Sequence, residues 1–403
     1  MLSPRADHQT SLDTAAAQPM LDQTLDWAAI NSGTGNLAGL AEVAARLADA
    51  FSVLPGTLAL VDAEPTKVIL PDGAVRTIER GRNLHLAVRP EAGTRILLTG
   101  HMDTVFATDH PFQAIVRRED GRINGPGVAD MKSGLAIMLA ALKGLEASPL
   151  RDRIGYEVVI NSDEETGSQG SASLIAHAAR GKAAALTYEP AASPEGLLAG
   201  ARPGSGNFSI VITGRSAHAG RNPEDGRNAV LAAADLALRL ARAAGPRLSV
   251  NPARIDGGGP NNVVPDHAVL RVNLRPATPE DQARAQSHIA AAIAMVAAEH
   301  QVTIHSHGGF ARPPKPLDAQ AERLFALVRD CGARLGQTIA WAPSGGVCDG
   351  NNIAACGVPV VDTMGARGGA IHSADEFLIP DSLAERAMLS TLVMLELAER
   401  GRP

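Results

Sequence analysis

Acidic and imidazole side chains recur in this chain where apolar runs end. "RILLTG" runs into His101-Met102-Asp103, and "YEVVINS" runs into Asp163-Glu164-Glu165. Glu189 follows "AAALTY", Asp130 ends the loop "NGPGVAD", and His372 follows "VVDTMGARGGAI". Oxygen and imidazole donors without a usable cysteine set suit Zn²⁺, with Mn²⁺ or Co²⁺ as alternatives. Taken singly, each has an ordinary reading. Asp130 could cap a helix, the acidic triplet could be a solvated turn, and a histidine at a strand end could be a hydrogen-bonded surface group. Convergence favours the metal reading: five such groups at one rim would repel unless cations offset them. His101 and Asp103 are two apart and share a strand face. The carboxylate can therefore support the imidazole and fix its tautomer.

These groups need a sheet to present them. "NLHLAVRP", "TRILLTGHMD", "YEVVINS" and "AAALTYEP" read as strands, several buried on both faces because their apolar residues are continuous. Helical spacing occupies "NLAGLAEVAARLADAFSVL", "ADMKSGLAIMLAALKGLEAS" and "SQGSASLIAHAARG". Alternating strands and helices predict an α/β fold, a largely parallel mixed sheet flanked by helices. Ligands in such folds bind beyond the C-terminal strand ends, where the candidate donors stand. The rhythm changes near Gly200. Residues 203–313 read as β-α-β-β-α-β, an inserted ferredoxin-like α+β unit with its own sheet. "ARPPKP" then reads as a linker, and the α/β pattern resumes. The expected division is a mobile tail over 1–18, a discontinuous domain over 19–202 and 314–403, and the insert between.

The 403 residues allow two domains, and 45% hydrophobic content supplies a sizeable core. A net charge of −6 and 3% aromatics, with no basic cluster, argue against nucleic-acid and anionic-membrane partners. No apolar run reaches the roughly 20 residues of a membrane-spanning helix. The first residues lack a signal-peptide pattern. Three cysteines without a CxxC pair make a poor disulfide framework, so a cytoplasmic location is expected.

The segments "TGHMDTVF", "GPGVADMKSG", "NSDEETGSQGS", "TYEP", "GRSAHAG", "NNVVPDHAVLRVNLR", "SGGVCDGNN" and "AIHSADEF" occur in this order. Together they resemble the di-zinc metallopeptidase family of glutamate carboxypeptidase, acetylornithine deacetylase, succinyl-diaminopimelate desuccinylase and aminoacylase. "TYEP" is similar to the glutamate carboxypeptidase branch. The resemblance implies two zinc ions per subunit, with Asp130 bridging them. Glu165 and His372 would complete one site, and His101 and Glu189 the other. Asp103 would orient His101, and Glu164 would be the general base. A cis peptide after Asp130 is implied as well. His218 would reach the oxyanion across a homodimer formed by the insert, which acts as a lid. Arg275 and Asn262 would bind the substrate's free carboxylate, and Gly345 and Gly346 would line a substrate loop. The chain departs from relatives at Cys348, where they often carry Thr or Ser. That residue could be a small buried filler, an oxidation-sensitive neighbour or part of a specificity pocket.

The expected activity is hydrolysis of an amide beside a free α-carboxylate, by a carboxypeptidase of the glutamate-releasing type acting on small N-acyl amino acids or peptides. An N-acyl-amino-acid deacylase or a dipeptidase would use the same metal site. A catalytically silent binding homologue is the reading from another class, and retention of Glu164 and His218 argues against it.

Overall fold

A computed structural model describes residues 6–403. Its principal sheet has six strands, in the spatial order Thr57–Val61, Asn83–Val88, Ile154–Asn161, Thr94–His101, Ala184–Thr187, Val360–Val361. The last four pair in parallel, and the first two add an antiparallel edge. Side-chain alternation explains why the central strands are apolar throughout. Ile96 and Leu98 enter the larger core, whereas Leu97 and Val159 enter a second core on the opposite face.

The helix Ser133–Glu146 is apolar on every side because it lies inside the larger core, against helices Ala6–Ala16 and Ser382–Arg400. Helices Ala172–Ala179 and Asp349–Ala355 cover the other face. The expectation of a mobile tail over residues 1–18 is corrected for residues 6–16. Leu12 is 1% exposed and Ala15 fully buried in the core. No strong local pattern announces this helix; its docking depends on a distant glycine. A Cβ on Gly144 would stand 2.7 Å from the Ser11 carbonyl, so only glycine admits that approach. Residues 1–5 of the expected tail lie outside the described residues.

A second, wholly antiparallel sheet is built from Ser205–Thr213, Leu248–Gly257, His267–Pro276 and Thr303–Arg312. In space the fourth strand lies beside the first, then the third, then the second, the ferredoxin-like order. Helices Ala229–Ala241 and Pro279–His300 bury their apolar stripes on one face, in a separate core. The chain enters and leaves through two segments that pair with each other at Arg202 and Lys315. A hairpin from the principal unit, Thr66–Ile69 with Val75–Ile78, touches this sheet: Arg271 donates to the Ile69 carbonyl at 2.8 Å.

Candidate metal centre

The carboxyl ends of adjacent parallel strands converge on one cleft. His101 is the last residue of its strand, Glu164 and Glu165 follow the Ile154–Asn161 strand, and Glu189 follows Ala184–Thr187. Asp130 sits in the turn before the buried helix, and its peptide bond to Met131 is cis, as expected. That helix begins very close to the neighbouring strand. A Cβ on Gly134 would lie 2.0 Å from the Tyr188 carbonyl. His372 arrives from a loop and adopts φ 62°, a left-handed conformation uncommon for a residue with a Cβ.

Asp130 presents one carboxylate oxygen to His101 Nε2 at 3.2 Å and the other to His372 Nε2 at 3.3 Å. Beside His372, Glu165 lies at 3.2 Å; beside His101, Glu189 lies at 3.7 Å. All five expected ligands are therefore neighbours, although they are spread over some 270 residues of sequence. Donor atoms of His101, Asp130 and Glu165, and those of His101, Glu164 and Glu189, form two groups that could hold metal ions.

Charge in the cleft is unbalanced. Burial pushes the Glu164 carboxyl well up despite the nearby Arg312 cation, and raises Glu189 to about 7. Burial and the charge of Asp130 raise Glu165. Burial opposes ionisation of Asp130 too, but hydrogen bonds from His101 and His372 outweigh it and lower the pKa. Bonds to Asp130 and Glu165 hold His372 up at about 11. Carboxyls driven toward neutrality beside histidines driven toward protonation mark a site short of positive charge. Metal cations would supply that charge, and the nitrogen and oxygen donors fit them.

Asp103 is fully buried and does two things. It lies 3.3 Å from His101 Nδ1, and it accepts from the backbone N–H groups of Glu164 and Glu165 at 3.1 and 3.2 Å. The carboxylate thus fixes the acidic turn and stands beside the imidazole, whose Nδ1 lies nearer the Asp103 main-chain carbonyl, at 3.0 Å. Gly346 and Ser344 border the cleft. Arg275 donates to the Gly345 carbonyl at 3.1 Å and lines the cleft beside Arg312. His218 and Asn262 are not brought to this cluster. They sit on adjacent exposed loops of the second unit, joined by the Ala219 N–H to the Asn262 carbonyl at 2.9 Å.

Two residues that the motifs did not single out complete the centre. Arg312, 3% exposed, donates to Glu164 Oε1 at 2.6 Å and to Asn352 Oδ1 at 2.8 Å, and it also pairs with Asp349. It belongs to the segment read as a linker, so no local pattern marked it. Asp349 is a buried hub that also accepts from Asn161 and Ser168. Glu376 closes the turn that carries Asp130: its carboxylate accepts from the N–H groups of Gly127, Ala129 and Asp130 at 3.2, 2.9 and 3.0 Å. Its signal was its place in "AIHSADEF", four residues after His372. Glu376→Ala is expected to weaken metal affinity by about 10–100-fold, the usual effect of removing a group that orients a ligand. Competition against a chromogenic chelator measures this, and unchanged affinity would contradict the anchoring role.

Comparison with known proteins agrees with this geometry. The chain is 28% identical over 330 residues to carboxypeptidase G2 of Pseudomonas sp. (strain RS-16), covering 79% of this chain and 77% of that protein. It is 28% identical over 326 residues to succinyl-diaminopimelate desuccinylase of Xanthomonas oryzae pv. oryzae (strain PXO99A), covering 75% and 84%. The fold is shared with an M20 family metallo-carboxypeptidase, Sso-CP2, from Sulfolobus solfataricus at TM-score 0.70, with 14% identity over 94% of this chain and 99% of that one. Because residues 97–396 match the model of peptidase family M20/M25/M40, the chain belongs to that family and is a metal-dependent hydrolase.

Proposed function

We propose that this protein hydrolyses an amide bond beside a free α-carboxylate, as a carboxypeptidase of the glutamate-releasing type. Two divalent cations, zinc foremost, would be held by His101, Asp130, Glu165, Glu189 and His372. The observation that carries this reading is Asp130, whose two oxygens face two different histidines, each with its own glutamate beside it. When bound, such a metal pair supplies Lewis acidity to the scissile carbonyl and lowers the pKa of water toward neutrality.

The chain's own groups do the rest. Glu164 takes a proton from the attacking water and delivers it to the leaving amine. Arg312 holds one of its oxygens, so the carboxylate is positioned before substrate arrives. Arg275, a planar fork on the cleft wall, suits the substrate's carboxylate. Removing the metal with a chelator should abolish hydrolysis of N-acyl-glutamates, and added zinc should restore it. Stripped protein that still turned over at full rate would refute the reading.

The working form in this proposal is a homodimer through the second unit. Leu231 and Leu238, 60% and 61% exposed, lie one heptad apart on the outer face of helix Ala229–Ala241. That helix packs against Leu248–Gly257, an edge strand of its sheet. Apolar residues beside an open strand edge suit a second copy. His218, exposed and away from its own cleft, would then serve the partner's oxyanion. Leu231→Asp with Leu238→Asp should give monomers in light scattering and a large loss of turnover. A fully active monomer would contradict the assignment. Three unpaired cysteines suit a reducing compartment such as the cytoplasm.

A further inference from the structure

The strand end that carries His101 is held by residues that the hydrolytic reading leaves unused. His101 Nδ1 meets the Asp103 main-chain carbonyl at 3.0 Å. A carbonyl only accepts, so Nδ1 carries a proton, and in the neutral ring the lone pair is on Nε2, which faces Asp130. The aim of that lone pair is therefore set by the backbone of residues 102 and 103. Side chains from two distant segments fix this backbone. The fully buried Lys132 ammonium donates to Ser32 Oγ at 2.6 Å and to the Met102 carbonyl. Ser32 Oγ donates to the same carbonyl at 2.7 Å, and Thr34 Oγ1 donates to Asp103 Oδ2 at 2.7 Å.

Ser32 and Thr34, 1% and 8% exposed, lie in a segment laid along residues 102–107. The Thr104 N–H donates to the Ser32 carbonyl at 3.0 Å, and the Thr34 N–H donates to the Thr104 carbonyl at 3.2 Å. Asn31 Nδ2 donates to the Phe106 carbonyl at 3.0 Å. No motif marked this segment.

We propose that Thr34 and Lys132 are positioning residues of the metal centre: Thr34 sets the Asp103 carboxylate, and Lys132 ties the Asp130 turn to the His101 strand end. The proposal rests on the metal reading of the cleft and adds these two residues to it. Asp103 Oδ1 accepts from the Glu164 N–H, and Oδ2 accepts from the Glu165 N–H and the Thr34 hydroxyl. Asp103 is fully buried, so bulk water cannot replace that hydroxyl. Without it the carboxylate turns, and the backbone beside His101 shifts with it. Lys132 stands two residues after Asp130, and its N–H donates to the Gly127 carbonyl at 2.9 Å. Its backbone thus belongs to the turn that carries one proposed ligand, while its ammonium holds the carbonyl next to another. Asp103, Glu376, Glu165 and Asp130 offset the ammonium's charge, so its burial is compensated.

The test measures zinc affinity by competition against a chromogenic chelator, beside the melting temperature of the metal-free protein. Thr34→Val keeps the outline of the side chain and removes the hydroxyl. It should weaken the ion proposed for His101 about 10–100-fold and leave the other ion as in the wild type. Thr34→Ser keeps the hydroxyl and should bind both ions as the wild type does. Lys132→Met should weaken both ions about 10–100-fold, because it loosens His101 and Asp130 together. Ser32→Ala, which removes one of the ammonium's two acceptors, should act in the same direction and decides the point where Lys132→Met fails to fold. A merely structural role would lower the melting temperature of the metal-free protein and leave the affinity of the folded fraction unchanged. That result, or a loss in Thr34→Val that Thr34→Ser does not restore, overturns the positioning roles and leaves the metal reading intact. Wild-type protein that binds no zinc overturns both.

Discussion

Glu164→Gln is expected to lower kcat by about 10²–10⁴-fold, the usual worth of a positioned general base, while the metal content stays at its wild-type value. The substitution preserves shape and leaves an oxygen that can accept from Arg312, as Glu164 does at 2.6 Å. It removes the ability to accept a proton. The five proposed ligands are untouched, and the backbone of the acidic turn stays fixed because Asp103 holds the main-chain N–H groups of residues 164 and 165. The two neighbouring glutamates should therefore separate by experiment: Glu165→Gln should cost metal, and Glu164→Gln should cost only turnover. Elemental analysis of both variants beside their kcat on an N-acyl-glutamate makes the distinction. Near-normal turnover in Glu164→Gln, with metal in place, would remove the proton-transfer role from this residue.

The donor set was legible because topology and chemistry coincide at strand ends. A continuous apolar run that stops at a histidine or an acid places that side chain at the rim of a parallel sheet, so His101, Glu165 and Glu189 could be found from hydrophobic pattern and residue type alone. The second sheet was legible for a related reason: alternation and one long helix with an acidic first turn leave few arrangements. Residues that act through distant partners were not legible. Arg312 meets Glu164 across 148 positions, and Glu376 meets the Asp130 turn across 246. Neither contact leaves a periodic trace. An arginine before two prolines looks like a linker until the fold seats it under the acidic turn. The Ala6–Ala16 helix was missed in the same way, since its burial depends on a glycine far along the chain. The role proposed for His218 would depend on a second copy, and in one chain His218 and Asn262 are both exposed on neighbouring loops, away from the cluster.

Asp130→Asn is expected to do more damage than any other single change, because it acts on both proposed ions. A bridging carboxylate gives one oxygen to each cation and a negative charge to the pair. Asparagine keeps the outline, but it replaces one oxygen donor by an NH₂ that cannot ligate, and it removes the charge. Glu376 and the backbone of the Gly127–Asp130 turn would still hold the residue in place, so the loss is chemical rather than structural. Metal affinity should fall by more than the roughly 10–100-fold expected where only an orienting group is lost, with stoichiometry below two per chain and turnover lower than in Glu164→Gln. A second reading comes from heat. A ligand at about 100 times its dissociation constant stabilises the folded state by about 2.7 kcal/mol. Wild-type protein should therefore gain melting temperature on adding zinc, and Asp130→Asn should gain little at the same concentration. His372→Ala offers the contrast, since in the proposed ligand set His372 would serve one ion only and its side chain is 53% exposed: it should retain one ion and part of the thermal gain. If Asp130→Asn binds two ions as tightly as the wild type, the carboxylate between His101 and His372 is no bridge, and the donors must be divided in some other way.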